Sequence, residues 1–349
     1  MLKNNLCIIN LTNCSLVDDD NVLSFATQYN LSYLVLDQSS FIYNNKLPIK
    51  LETCDSIILE DYDVFVIPLN HPKEHIEYIY QLIYDATNKN KRVFSFIDLD
   101  WTKIKNKINR AFFIDCSSKN FDINTDDCAF ITKVPIIYIC GNSMNVSKNV
   151  INILLKRCFE KMGAKVISLS SNEYTTILGQ EKYPSVIMNK GEDISSRYKK
   201  LVNYLTEMDD IVHPDVYIMT IPNIEFSPSC TEYVLPDVFK LLPTPDYLIF
   251  CLIPHNYSDH ELDNLSSLSI NSKKVDCYYV SQNSYNLMPN RESLNGLYEI
   301  VRHTNDVSSF VSNRLKQQGM TVFSEADEAV NYALESFLDK HFIPDNLVL

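Results

Sequence analysis

Residues 134 to 149 read Val134-Pro135-Ile136-Ile137-Tyr138-Ile139-Cys140-Gly141-Asn142-Ser143-Met144-Asn145-Val146-Ser147-Lys148-Asn149, and this stretch decides the fold. A short apolar run closed by glycine has the pattern of a strand buried on both faces. From Lys148 onward apolar residues recur at Val150, Ile153, Leu154 and Phe159, which predicts a helix over Lys148 to Met162. Gly163 follows as its stop, and Lys165 to Leu169 returns as a strand. Strand, loop, helix and strand in this order form a βαβ unit, the building block of a parallel sheet covered by helices.

The alternation continues in both directions. Toward the start, strands are expected at Leu6 to Leu11, Ser32 to Leu36, Asp63 to Leu69 and Val93 to Ile97. One helix is expected near Asp19 to Tyr29, and another carries Ile76, Ile79, Tyr80 and Ile83 and ends near Asn88. Toward the end, strands are expected at Asp215 to Ile221, Tyr247 to Ile253 and Val275 to Val280. Helices are expected at Asp193 to Met208, Thr231 to Leu242, Asp306 to Gln318 and Glu325 to His341. The interval from Asp115 to Asp127 is polar and turn-rich, which puts a domain boundary near residue 132. The expectation is an α/β chain of two Rossmann-like parallel-sheet domains, 1–132 and 133–349, the second a degenerate P-loop fold; 349 residues suffice for two cores.

Composition narrows the function classes. The formal net charge is −13 and no long basic run is present, so nothing concentrates positive potential on a nucleic-acid backbone. No apolar stretch reaches the length of a membrane span, and Met1 to Asn5 leads into a strand rather than an apolar signal core, so a soluble, cytoplasmic protein is expected. The ten cysteines include no C-x-x-C pair, and Cys140, Cys251 and Cys277 sit inside apolar runs, as reduced core residues do. Only six glycines are present where average usage predicts about 24, so any phosphate-cradling loop must work with few of them.

The segment Gly141 to Asn149 has the context that a phosphate loop needs. A turn follows a strand, a lysine opens the next helix, and the helix N-terminus adds partial positive charge. The common signature is G-x-x-x-x-G-K-S/T; here the spacing is one residue longer, Ser147 stands for the second glycine and Asn149 for the metal-binding hydroxyl. Ser147 brings a Cβ where glycine allows close approach, and Asn149 offers only a neutral amide oxygen to Mg²⁺. The candidate phosphate-contacting residues are Gly141, Asn142, Ser143, Met144, Asn145, Val146, Ser147, Lys148 and Asn149, with ATP or GTP and Mg²⁺ as the candidate cofactors. The competing reading is a solvated helix start, with Asn145 or Ser147 as its N-cap.

In its spacing the loop resembles that of dethiobiotin-synthetase-like P-loop proteins, with Gly141, Val146 and Lys148 in the matching places. Gly163 to Ser171, Gly179, Pro184, His213 to Pro222 and Pro245 to Phe250 extend the likeness. Together they resemble the peptide maturation system proteins encoded beside radical-SAM enzymes in clostridial bacteriocin-type clusters. That resemblance covers nearly the whole chain and implies a Rossmann-like first domain, a P-loop-like second domain, and a role in maturing a ribosomally made peptide. A precursor peptide or a radical-SAM maturation enzyme is the implied partner. Here Ile221-Pro222 is followed by Asn223 and Ile224 where the family pattern has glycines.

Other constellations compete with that loop. His71-Pro72-Lys73-Glu74-His75 spells H-x-x-E-H, a zinc-protease pattern, but Pro72 sets His71 at the helix entry, where the two rings need not share a face. Asp215, Asp98 and Asp100 border strands and can serve a phosphate-bound metal or simply cap turns. His213, His255 and His260 are expected in loops. There is no G-x-S-x-G elbow and no G-x-G-x-x-G.

The expected function is therefore an accessory protein of peptide maturation with a degenerate phosphate-binding loop. Two alternatives stay open: an ATP- or GTP-dependent enzyme activating a carboxylate or amine, and an interaction scaffold that binds no nucleotide. A homodimer is compatible with the sequence.

Overall fold

The computed structural model describes residues 4–10, 28–35, 49–53, 57–68, 75–116, 134–142, 147–170, 172–184, 193–221, 241–281, 283–288, 297–302 and 305–341. Clustering of spatial contacts divides the chain into Met1–Asn120 and Phe121–Leu349.

In the first unit, β1 (Asn4–Asn10), β2 (Tyr29–Val35), β3 (Ile49–Thr53), β4 (Val64–Ile67), β5 (Arg92–Ser95) and β6 (Phe113–Asp115) form one sheet in the order β3-β2-β1-β4-β5-β6. Every pairing is parallel. This is the Rossmann strand order, reversing direction beside β1. The helix α1 (Ile76–Asn88) buries Ile79, Leu82, Ile83 and Ala86 against Cys7, Ile9, Phe65 and Ile67, the period-3.6 stripe meeting the period-2 face. A one-turn helix, α2 (Trp101–Ile104), starts at Asp100, whose carboxylate accepts the Thr102 N–H at 3.0 Å. The helix expected near Asp19 to Tyr29 lies outside the described residues up to position 27, and Tyr29 begins β2.

The second unit holds a seven-stranded sheet. Its strands are β7 (Ile136–Gly141), β8 (Val166–Ser170), β9 (Glu181–Lys182), β10 (Val216–Thr220), β11 (Tyr247–Leu252), β14 (Cys277–Val280) and β17 (Val322–Phe323), while two short hairpins, β12 (Ser269–Ile270) with β13 (Lys273–Lys274) and β15 (Asn283–Met288) with β16 (Leu297–Arg302), stand apart. The order β17-β14-β11-β7-β10-β8-β9 is parallel throughout. The helices are α3 (Lys148–Lys161), α4 (Ile194–Val212), α5 (Asp259–Ser266), α6 (Asn305–Gln317) and α7 (Ala326–His341).

Strand alternation sorts the core into two layers. Tyr138, Cys140, Tyr217, Met219, Leu248 and Phe250 face α4, α5 and α6, whereas Ile137, Ile139, Ile218, Ile249 and Cys251 face α3 and α7. The Phe159 and Phe337 rings lock α3 to α7 edge-on, with centroids 5.5 Å apart. Both faces are covered, which explains why these strands read as continuous apolar runs. The helix α3 stops at Gly163, in the left-handed region at φ 87 that glycine adopts without a side-chain penalty.

One device recurs in both units. An aspartate just before a strand pairs with the first residues of its neighbour: Asp63 Oδ2 accepts the Asn5 N–H at 3.0 Å and Asp215 Oδ2 the Lys165 N–H at 2.7 Å. Asp246 Oδ2 accepts the Ile136 N–H and Asp276 Oδ2 the Leu248 N–H, each at 2.8 Å. In all four cases the aspartate's own N–H returns a bond to a neighbouring-strand carbonyl. Each carboxylate thus satisfies the donor left over where a parallel ladder begins.

Candidate functional site

From β7 the chain passes through α3 to β8 on one side of the sheet, and from β11 through α5 to β14 on the other. These two helices cover opposite faces. The carboxyl end of β7 is therefore a switch point, where open α/β sheets leave a crevice.

Lys148 opens α3 at this end. It is 4% exposed, and its ammonium donates to the Ile221 carbonyl, just past β10, at 3.4 Å. Burying an ammonium is unfavourable unless it is compensated, so the lysine is not a solvated helix start. Ser147 precedes it with φ 58 and ψ 24, the left-handed conformation usually left to glycine, and its side chain makes no N-cap bond. Its hydroxyl lies 3.2 Å from that of Ser281, immediately after β14, and both residues are buried. Ser147 thus stands where the phosphate-loop signature has its second glycine and takes a glycine-like backbone there.

A polar layer lies on the core side of α3. Asn149 Oδ1 accepts from Ser170 Oγ at 2.9 Å. Asn152, fully buried, donates to Thr220 Oγ1 at 2.7 Å and to the Leu169 carbonyl at 3.2 Å, and accepts from Ser168 Oγ at 2.6 Å. Cys140 is close by; burial pushes its thiol up to about 12, partly opposed by the Lys148 charge.

Gly141 is the last residue of β7, paired with Cys251. Asn142 departs from expectation. Its backbone N–H donates to the Cys251 carbonyl at 3.1 Å, its Oδ1 accepts the Ile253 N–H at 3.1 Å, and its Nδ2 donates to the Tyr257 hydroxyl at 3.0 Å. Those groups bind β11 and the loop after it and are not directed at a ligand. Ser143, Met144, Asn145 and Val146 lie outside the described residues. Of the expected set, the structure brings Ser147, Lys148 and Asn149 together with Ser170, Ile221 and Ser281. Asn152 was legible as a polar residue on an apolar helix face between Ile151 and Leu155; no local signal points to Ser281.

Asp215 sits at the opposite end of β10 from Lys148 and acts as a strand cap, the alternative to a metal role. Asp100 is a helix cap, held below the usual carboxylate range by the Thr102 hydroxyl and amide. His260 belongs to α5 rather than a loop, His213 ends α4 with a left-handed backbone, and His255 packs edge-on against Tyr257. His71 to Glu74 lie outside the described residues, and among those described no three His, Cys, Asp or Glu side chains gather to hold a metal. No described helix is long and apolar enough to cross a membrane.

No protein-family model matches the chain, and no curated protein matches it. Among solved structures, a DUF1611 family protein from Anabaena variabilis is similar with a TM-score of 0.59 and 10% identity, covering 97% of this chain and 99% of that one. This likeness shows a shared α/β fold. A D-lactate dehydrogenase from Salmonella reaches a TM-score of 0.20 at 9% identity, over 96% of this chain and 95% of that one, a level that carries no structural argument.

Proposed function

We propose that the second unit binds a phosphoryl group, in the manner of a degenerate P-loop, and that the protein serves as an accessory factor in maturing a ribosomally made peptide. The observation that carries the first part is the buried Lys148 ammonium at the β7 switch point, one residue after a left-handed Ser147. A fixed cation and the start of a 14-residue helix supply positive potential at one place, the requirement for an oxyanion. The part concerning peptide maturation rests on the sequence resemblance through Gly163, His213 to Pro222 and Pro245 to Phe250. The net charge of −13 suits a basic segment of a precursor peptide as partner.

Thermal unfolding of the full chain with ATP, GTP or pyrophosphate, alongside Lys148→Met, tests the binding site. A ligand at 100 times its Kd adds about 2.7 kcal/mol, a shift of roughly 5–10 °C. The expected result is a shift in the wild type that the variant loses; no shift with any of the three overturns the reading. For the pathway, a precursor-peptide gene beside a radical-SAM gene is the expected neighbourhood, and co-purification with either product supports it.

A further inference from the structure

Resting on that reading of the Lys148 end, we infer that helix α6 sets the phosphate site, with Ser308 and Arg314 as positioning residues. Asn142 stands just past β7 and Ser147 just before α3. Both are tied to α6, each through one intermediary, Tyr257 for Asn142 and Ser281 for Ser147.

On the Ser147 side, the Ser147 hydroxyl meets that of Ser281 at 3.2 Å, and the Ser281 N–H donates to the Leu252 carbonyl at 2.8 Å. The Ser281 carbonyl accepts from Ser308 Oγ at 3.2 Å, and Ser312 Oγ donates to the Ser308 carbonyl at 2.8 Å. All four serines are buried. On the Asn142 side, Asn142 Nδ2 donates to the Tyr257 hydroxyl at 3.0 Å, which donates in turn to the Ile253 carbonyl at 2.8 Å. Arg314 holds the same tyrosine from α6. Its Nη1 donates to the Tyr257 carbonyl at 2.6 Å and to Asn256 Oδ1 at 2.8 Å, and its Nη2 to Asp259 Oδ1 at 3.0 Å.

A helix that only covers a sheet does not need these groups, since Val311 and Leu315 already bury the apolar stripe of α6 in the core. Serine is a poorer helix former than alanine, and its buried hydroxyl is costly unless paired. Such departures from local preference concentrate where a structure positions a site. Lys148 follows Ser147 directly, so the backbone that Ser281 holds also sets the point from which the ammonium leaves α3. A binding group has to be kept within about 0.5 Å of its productive position. Two hydrogen-bonded anchors on one helix supply that precision.

The experiment measures pyrophosphate affinity by calorimetry, Tm, and hydrogen–deuterium exchange of peptides spanning 136–142 and 147–155, all on the full-length protein. The variants are Ser308→Ala and Arg314→Met, with Val202→Ala as packing control, a buried residue of α4 outside both chains of hydrogen bonds. The expected result is binding weakened about tenfold in each α6 variant. Exchange should be about tenfold faster at 147–155 in Ser308→Ala and at 136–142 in Arg314→Met. Val202→Ala lowers Tm through lost packing and changes neither readout. Affinity losses that merely follow Tm across the three variants, or α6 variants that bind as tightly as the wild type, overturn the inference and leave the phosphate site standing. A wild type that binds no pyrophosphate removes the phosphate site. Exchange, which needs no ligand, then decides alone whether α6 positions the two segments, and wild-type exchange rates in both variants refute it.

Discussion

The hydroxyls of Ser147 and Ser281 lie 3.2 Å apart across a sequence separation of 134, joining the residue before α3 to the residue after β14. The contact holds Ser147 in the left-handed backbone from which Lys148 enters the helix. Ser281 is anchored in turn, since its carbonyl accepts from Ser308 Oγ on α6 at 3.2 Å. A local strain at the loop end is thus supported by a distant strand and helix.

Two substitutions at Ser147 separate the strain from the hydrogen bond. Alanine keeps the left-handed penalty and loses the hydroxyl, so Ser147→Ala should lower stability by about 1–3 kcal/mol. Glycine loses the same bond but relieves the backbone, so Ser147→Gly should stay within about 1 kcal/mol of the wild type. Urea unfolding measures both, and equal losses would show that the backbone carries no strain.

Removal of Asn152 should be costly. Its amide serves Ser168, Thr220 and the Leu169 carbonyl in a fully buried layer. Asn152→Ala should lose about 2–4 kcal/mol in denaturant unfolding, because buried polar groups lose a partner together. A loss under about 1 kcal/mol would mean that water or relaxation replaces the amide.

The strand-capping aspartates should outweigh surface ion pairs. Asp276 accepts the Leu248 N–H at 2.8 Å and pairs with Lys273 at 3.2 Å and Lys340 at 3.0 Å. Asp276→Ala should cost about 1–3 kcal/mol and Asp276→Asn less, since an amide oxygen still accepts. Asp259, 91% exposed in its pair with Arg314, should cost under about 0.5 kcal/mol when changed to alanine. Thermal unfolding of the three variants reads the difference.

Alkaline pH should weaken the fold from the buried thiols upward. Burial raises Cys140 and Cys277 from the ordinary 9.0 to about 12. Above 9.0 the unfolded chain releases these protons while the folded chain holds them, so stability present below that pH is lost progressively up to about 12. Each thiol removes about 1.4 kcal/mol per pH unit in that window. Tyr138, Tyr183 and Tyr247, also pushed upward by burial, act in the same direction at higher pH. In Cys140→Ala/Cys277→Ala the slope just above 9.0 should flatten, whatever the variant's absolute stability.

Much of the architecture was readable from local pattern. The runs at 136–140, 216–219 and 247–252 are apolar at every position because both faces are covered, and α3, α4, α6 and α7 lie close to their expected positions. Short elements escaped: β6, β9 and β17 have three residues or fewer, too few to show a period. The helix α5 escaped although Ser258 and Glu261 form a capping box before Leu262 and Leu265. The hairpin of β15 and β16 escaped because eight residues separate its strands, so Asn295-Gly296 does not read as the two-residue turn of a tight hairpin.

The sequence by itself determined the period of each element and the place of a lysine at the start of a helix behind a buried strand, because burial periodicity and capping are local properties of the chain. Strand order was decided by tertiary structure alone. Pairing of β10 with β7 brings the Ile221 carbonyl to Lys148 from 73 residues away, and the position of β14 beyond β11 brings Ser281 to Ser147. It also turns Asp215 into a cap at the far end. Neighbouring strands are chosen by ladder hydrogen bonds and side-chain packing summed over the whole sheet, which no short window of sequence contains.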